Sequence, residues 1–557
     1  MAAQVDQEPQ TAGWAAGAVE RLLGARAAPL ATIMAIQAAL SLRLVWRTTA
    51  FLDEALYLSI GHLELAHYLH YAPMPDVSYY LSGSPLIYPP LAAVADEVGG
   101  LAAVRLLSLV LMLLVTFLLH GVSRRLMGSR AAAFFAVALF AGLGPTQFLG
   151  ALATFDVLAL ALLALATWLG VRAAEQRPAV MYTLVCAGGL AMMLADAAKY
   201  AAALFDPVVV AVVVLAIWRL RGRSVGMTAG GAMVAAAGVP LVSGYYLAGS
   251  SFRRGVLVTT VDRPGGSDSV GSVLALSAHA TGVIAVLAVL GAVLCMFRLR
   301  SGPERALAWV LAAAEFLAPA EQARIHTLTS LFKHVDYGAW FACMVAGYLL
   351  GEWSTGLVRA HADGICAHAD GIRAASTGAG GRGGERGRAL ALSAAVALLA
   401  GISSTKTTGA EYAGWPSSRP IIAALSRLLR PADYYLIEDP SLVTYYLRSE
   451  IPFLHVDSTF GFSYPDPGAG RALVDGPAYA LAIKQGYFAA IVLRFGATAA
   501  RDHQLVRDMR ADHDYRLAEV VPYRTAYGPG AYQIWVRARA ARAGAASPER
   551  DAGTSTR

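Results

Sequence analysis

The chain has 557 residues, of which 57% are hydrophobic and 15% charged, with a formal net charge of +7. Mean hydropathy is +0.51, and a soluble domain carries about 25% charge. These values exclude a disordered chain and a simple cytosolic enzyme, and four cysteines exclude a disulfide-knit scaffold. The apolar residues fall into many long runs, which is the composition of a polytopic membrane protein.

The basic residues are almost all arginine. Lysine occurs only at Lys199, Lys333, Lys406 and Lys484. A base-composition bias accounts for the general preference, yet it leaves each surviving lysine conspicuous.

In chain order, residues 1–27 are polar and Ala-rich and read as a cytoplasmic segment without a cleavage site. Apolar spans follow near 28–47, 101–120, 131–150, 152–171, 179–197, 200–218, 226–247, 273–296, 304–320, 336–352 and 387–402, eleven in all. Most approach the ~20 residues needed to cross a bilayer core. Charge placement orients them. With the N-terminus cytoplasmic, the inside loops hold Arg124, Arg125, Arg130, Arg172, Arg177, Arg219, Arg221, Arg223, Arg298, Arg300 and Arg305. The first outside loop, 48–100, has no Lys or Arg and carries Asp53, Glu54, Glu64, Asp76, Asp96 and Glu97. This is the positive-inside pattern. Arg253, Arg254 and Arg263 in the loop 248–272 are the exception.

Residues 353–386 form a Gly/Arg/His-rich cytoplasmic linker without a clear element pattern. An odd number of spans places 403–538 outside. Short aromatic and β-branched runs there, DYYLIED, VTYYLRS, YFAAIVLRF and AYQIWVRA, predict strands. SSRPIIAALSRLLRP predicts a helix, and DPSLVTYYLRS and ATAARDHQLVRDMRA also fit helices. A small extracytoplasmic α/β domain results. Residues 539–557 read as a disordered tail. The fold class is therefore a polytopic α-helical membrane protein with a long first outer loop and a C-terminal α/β domain.

Chemistry-bearing residues gather at the outer ends of the spans. Asp53 and Glu54 follow the first span directly, at the start of a short helix, where free backbone amides favour acids. A carboxylate there can serve as a general base or a metal ligand. Tyr57 lies on that helix, and Tyr79, Tyr80 and Tyr88 suit the headgroup level. Asp156 opens a later span, and ionisable residues in apolar segments are functional candidates. Lys199 stands in LADAAKYAAALFDP, three residues from Asp196, with which it could pair on one helix face. Arg324, Lys333 and His334 lie in PAEQARIHTLTSLFKHVDYGAWF, with Arg253 and Arg254 on the same side. These cations suit a phosphate. Each feature also has a structural alternative: water-facing acids, a helix cap by Thr154 or Asp156, an Asp196–Lys199 ion pair, and an interfacial anchor of snorkelling cations. There is no P-loop, dinucleotide fingerprint or nucleophile elbow.

FLDEALYLSIGH, SGSPLIYPPL, GGLAAVRLLSLV, the TFD at 154–156 and LADAAKY together resemble the type-C superfamily of membrane glycosyltransferases. The likeness spans roughly residues 30–340 and points to the group containing protein O-mannosyltransferases and lipid A aminoarabinose transferases. The stretch around Lys333 looks like a feature of an actinobacterial-type subgroup. The resemblance implies a polyprenyl-phosphate-linked sugar donor, an extracytoplasmic glycan, lipid or protein acceptor, and a plasma-membrane location. It implies that Asp53 is the base, with Glu54 the second choice, and that a lysine near Lys199 meets the phosphate. Some members use a divalent cation (Mg, Mn or Ca), which would fall to Asp53, Glu54 and Asp156. A lipid-linked sugar flippase and a non-catalytic envelope assembly protein are the competing readings.

Overall fold

The computed structural model describes residues 28–263, 265–369, 381–466 and 471–538. The expected N-terminal segment and C-terminal tail lie outside them. The chain divides into two compact units between Trp415 and Pro416.

The first unit is helical, the only open-ended way to satisfy every backbone group in lipid. In order come α1 (Ala28–Val45), α2 (Leu52–His70), α3 (Tyr88–Met127), α4 (Arg130–Gly142), α5 (Gly144–Leu149), α6 (Phe155–Ala173), α7 (Pro178–Ala198), α8 (Asp206–Arg221), α9 (Arg223–Leu247), α10 (Gly249–Thr259), α11 (Val270–Arg298), α12 (Gly302–Ala313), α13 (Leu317–Arg324), α14 (Leu331–Ala369) and α15 (Gly381–Ala413). A 3-10 turn, Tyr200–Phe205, leads into α8.

Seven described segments are long and apolar enough to cross a membrane: α1, α3, α6, α7, Tyr200–Arg221, α9 and α11. The other expected spans fall in α4–α5, α12–α13, α14 and α15. Two of these are interrupted. The 131–150 run breaks at Leu143 (ψ 144°), because Pro145 has no N–H with which to continue the helix from α4. The 304–320 run is divided by a 3-10 turn at Ala314–Phe316.

The described parts of 353–386 are helical, not patternless, since α14 runs on to Ala369 and α15 starts at Gly381. Helix α15 also passes residue 402 and ends at Ala413, shortly before Pro416. Tyr412 therefore belongs to the first unit, where its ring meets Phe51 at 5.2 Å.

Helix α3 is two helices. Gly99 and Gly100 (φ 64°) leave helical geometry, so Tyr88–Val98 forms an arm before the span proper. The arm buries Ala92, Ala93 and Asp96 and exposes Leu91, Val94 and Val98. That two-faced pattern suits an interfacial helix.

Helix α14 is the core of the bundle. Trp340, Phe341, Met344 and Val345 are fully buried in it. It packs on α4 through GYLLG, where Gly347 and Gly351 let the backbones meet: a Cβ on Gly347 would lie 2.5 Å from Ala132 O. Small residues four apart allow such close approach in membranes.

At one end of the bundle the arginine-bearing loops bind one another. Arg219 donates to Leu126 O at 3.0 Å and faces Glu304 at 3.6 Å; Arg221 donates to Ala174 O, and Arg125 faces Glu175.

The second unit is α/β. Its elements are α16 (Arg419–Leu425), β1 (Tyr434–Ile437), α17 (Pro440–Tyr446), β2 (Val456–Ser458), β3 (Ser463–Asp466), β4 (Arg471–Val474), α18 (Gly476–Lys484), β5 (Phe488–Leu493), α19 (Ala499–Asp512), β6 (Tyr515–Thr525) and β7 (Gly528–Arg537). The sheet order is β2-β1-β5-β7-β6, with the first three parallel and the rest antiparallel. Alternation builds two cores. Tyr435, Ile437, Val492 and Ile534 face one layer; Leu436, Ile491, Leu493 and Trp535 face the other. The VTYYLRS run is helical in α17, because Pro440 starts a helix there.

Gly347→Val should lower the thermal stability of the detergent-solubilised protein by the equivalent of about 1–3 kcal/mol, the usual penalty of overpacking. Gly231→Val, where nothing lies within 4 Å, should not. Equal melting shifts would contradict the close α4–α14 contact.

Candidate active site

The site begins with Glu54. Helix α2 opens at Phe51, whose amide donates to Glu54 Oε2 at 2.9 Å. Arg105, on α3, forks onto the same carboxylate, with Nε 2.9 Å from Oε1 and Nη2 2.6 Å from Oε2. Both side chains are buried, at 1% and 0% exposure. The guanidinium also donates to the carbonyls of Val45, Thr48 and Thr49 at 2.8–3.1 Å, gathering the end of α1 and its turn. Ala153 N donates to Glu54 Oε1 at 2.7 Å. Ala153 lies just before α6, so one carboxylate ties the start of α2 to the start of α6. Asp53 and Asp156 come together as a result. Tyr412 covers the pair, its ring 5.7 Å from the Arg105 guanidinium.

Asp53 is the open member, its side chain 49% exposed, whereas Asp156 is fully buried. Lys333, on the first turn of α14, reaches both: its Nζ lies 2.8 Å from Asp53 Oδ2 and 3.5 Å from Asp156 Oδ2. Lys199 Nζ approaches Asp156 Oδ1 at 3.8 Å and His334 Nε2 the same oxygen at 3.6 Å. Gln322 Nε2 and His334 Nδ1 are hydrogen-bonded at 2.8 Å, which fixes the ring beside Asp156. Tyr337 Oη donates to Asp156 O at 2.7 Å.

Lys199 is placed by a short piece of the first loop. Ser84 N donates to Ala197 O at 2.7 Å and Tyr200 N to Ser82 O at 3.0 Å. Lys199 Nζ then donates to Ser82 Oγ at 3.0 Å and sits 4.5 Å from the Phe155 ring centroid. Gly83 permits this contact, for a Cβ there would stand 2.1 Å from Ala198 O. The expected Asp196–Lys199 pair does not form. Helix α7 ends at Ala198 and Lys199 is extended (φ −148°, ψ 110°), so the helical spacing of three no longer applies. Asp196 instead lies near Asp206.

The Lys333 charge holds the Asp53 carboxyl below the usual carboxylate range. A lowered folded-state value stabilises the fold above the ordinary pKa of about 3.9. That contribution is lost as pH falls through the lowered value.

The sequence-predicted residues divide clearly. Asp53, Asp156, Lys199, Lys333 and His334 form one cluster. Glu54 lies beside it but is consumed by Arg105. Tyr57 packs its ring 4.2 Å from Phe155, and Tyr88 is fully buried behind them. Tyr88 is thus inside the protein rather than facing headgroups, its ring 6.3 Å from that of Tyr57. Tyr79 and Tyr80 are exposed. Arg324 is 69% exposed and paired with Glu321. Arg253 donates to Tyr246 O, and Arg254 is exposed. Among the described residues no hydrogen bond or ion pair joins these three arginines to Asp53 or Asp156. Sequence reasoning missed Arg105, Ser82 and Gln322. For Arg105 the signal was present, an arginine inside an apolar run.

The residues do not fit a resident divalent ion. Among the described residues no group of three His, Cys, Asp or Glu could hold one. Glu54 is saturated, and the Lys333 ammonium occupies the space between Asp53 and Asp156.

The helical bundle, with its acids and lysines at one end, and the small α/β unit that follows it in sequence make a fold that solved membrane proteins share. Comparison with solved structures shows this fold. ArnT from Cupriavidus metallidurans bound to undecaprenyl phosphate has a TM-score of 0.53 at 16% identity, over 90% of this chain and 97% of that one. Its apo form gives 0.55 at 15% identity, over 94% and 98%. The archaeal oligosaccharyltransferase AglB from Archaeoglobus fulgidus, in complex with an inhibitory peptide and a dolichol-phosphate, gives 0.52 at 12%, over 90% and 74%. No protein-family profile and no curated protein sequence matches the chain. This shared fold agrees with the fold that the sequence resemblance implies.

Arg105→Met should lower stability by about 3–5 kcal/mol, since it leaves a buried carboxylate unpaired. Pairing it with Glu54→Gln should restore part of that loss. Additive losses in a thermal double-mutant cycle would contradict a direct pair.

Proposed function

We propose that the protein transfers a sugar from a polyprenyl-phosphate-linked donor to an extracytoplasmic glycan, lipid or protein acceptor, with inversion at the anomeric carbon. The observation that carries this reading is one exposed carboxylate, Asp53, set against two buried lysines at the end of the bundle. The undecaprenyl phosphate of ArnT and the dolichol-phosphate of AglB make a lipid-linked phosphate the natural ligand for those lysines.

Asp53 accepts the proton of the acceptor hydroxyl on a carboxylate oxygen. The acceptor oxygen attacks the anomeric carbon from the face opposite the phosphate. The bond between that carbon and the phosphate oxygen breaks, and both electrons leave with the phosphate. Lys199 and Lys333 neutralise the charge that develops there. The phosphate competes with Asp53 for Lys333. Its arrival therefore raises the basicity of Asp53 when the acceptor needs a base. Asp156, which cannot reach solvent, positions the two ammonium groups, and His334 steadies Asp156. Glu54 anchors the helix that carries Asp53. Tyr79 and Tyr80, exposed on the first loop, are placed to meet lipid, while Tyr57 and Tyr88 form the wall behind the site. Arg253, Arg254 and Arg324 contribute at most to long-range attraction of the anionic donor.

In this reading the arginine-laced end of the bundle faces the cytoplasm, so the N-terminus is cytoplasmic and the cluster opens outside. The second unit is then extracytoplasmic. Proteins that only move lipid-linked sugars need no base poised beside a phosphate site, which favours transfer over flipping.

Asp53→Asn should reduce transfer of radiolabelled sugar from polyprenyl phosphate by about 10²–10⁴-fold, the usual worth of a general base, in a protein that still folds. The acid limit of kcat/KM should lie below the ordinary carboxylate value of about 3.9, because Lys333 lowers Asp53 in the free protein. Unchanged turnover in a folded Asp53→Asn variant would contradict the assignment.

A further inference from the structure

We infer that the Lys333 side chain is a built-in substitute for a divalent ion, and that removing it creates a metal site between Asp53 and Asp156. The catalytic consequence rests on the transfer reading above; the occupancy stands on geometry alone.

Two carboxylates from different helices converge on one point, and that point holds an ammonium nitrogen, 2.8 Å from Asp53 Oδ2 and 3.5 Å from Asp156 Oδ2. Oxygen pairs of this kind are what Mg, Mn and Ca take. Here the cation is covalently supplied. Helix α14 fixes it: the amides of Lys333 and His334 both donate to Ser330 O at 3.0 Å, and the stem of Lys333 is buried with only 8% of the side chain exposed. The remaining surroundings of Asp156 are also donors, Lys199 at 3.8 Å and His334 at 3.6 Å. The neighbouring Glu54 offers no third oxygen, since both its oxygens are held by Arg105, Ala153 and Phe51.

Charge points the same way. Two aspartates and two lysines balance. A divalent ion added to that set would meet two ammonium groups within a few ångströms of its ligands. With Lys333 neutral the set is one negative charge in excess, and the carboxylate of Asp156 has lost a counter-ion at 3.5 Å. Water and a divalent ion can then take the vacated space. A lysine is a compact point charge on a flexible stem, and is the side chain best suited to replace an ion.

The test is Mn²⁺ binding followed by electron paramagnetic resonance on the full-length protein in phosphatidylcholine nanodiscs. Wild type should show no bound Mn²⁺ that Asp53→Asn or Asp156→Asn removes, and its sugar transfer should be unaffected by EDTA. Lys333→Met should bind Mn²⁺ at least about tenfold more tightly than wild type, a change of about 1.4 kcal/mol. That gain should vanish when Asp53→Asn is added. Lys333→Arg, which keeps the charge, should gain nothing. The inference is overturned by Mn²⁺ binding in wild type that depends on both aspartates. A folded Lys333→Met protein that gains no binding overturns it equally. The wild-type arm decides by itself where Lys333→Met does not fold, with Lys333→Gln as the second neutral variant. Absence of transfer from every donor would sink the proposed reaction and leave the binding result standing.

Discussion

The buried ion pair between Glu54 and Arg105 is the constraint on which the rest of the site depends. Neither group can face lipid or the apolar core alone, for an unpaired charge there costs several kcal/mol. Their pairing is bidentate, and the carboxylate takes two further backbone donors while the guanidinium takes three carbonyls. The result is a polar knot that holds the end of α1, the start of α2, the middle of α3 and the start of α6 in one arrangement. The acid adjacent to the knot in sequence, Asp53, and the acid three residues beyond Ala153, Asp156, are thereby delivered to a common point. The neighbour of the reactive acid does the holding, so the reactive acid is left open.

Around that point the charges are balanced and graded by exposure. Asp156 is sealed, the lysines are nearly so, and Asp53 is half open. Such a gradient suits group transfer at a bilayer surface. The acceptor reaches the open carboxylate from water, while an anionic lipid reaches the lysines. Because Lys333 serves Asp53 at rest and the phosphate in the proposed complex, donor binding and base activation become one event.

Much of this was legible in the sequence. Long apolar runs pointed to the spans, and short aromatic and β-branched runs pointed to β1, β5 and β7. The scarcity of lysine drew attention to Lys199 and Lys333, and both lie in the cluster. What stayed hidden was whatever depends on contacts distant in sequence. Glu54 and Asp53 are neighbours with the same chemistry, and only the fold, through Arg105, separates an anchor from an open acid. Lys199 and Asp196 share a helical spacing, but the helix stops between them, where Ser82 to Ser84 supply a competing backbone ladder. Tyr88 reads as an interfacial tyrosine, yet it is buried beside Tyr57. The continuation of α15 past residue 402 was hidden because its run of Ser, Thr and Gly reads as the start of the α/β domain. In the structure that run is helix, and its Ser404 and Thr408 lie against Gly144 at the start of α5.

A cryo-electron microscopy structure of the protein with a polyprenyl monophosphate tests the account most directly. The phosphate is expected within hydrogen-bond distance of Lys199 Nζ and Lys333 Nζ, with Lys333 Nζ farther from Asp53 than its resting 2.8 Å. A phosphate bound elsewhere, with the Lys333–Asp53 contact unchanged, would contradict it.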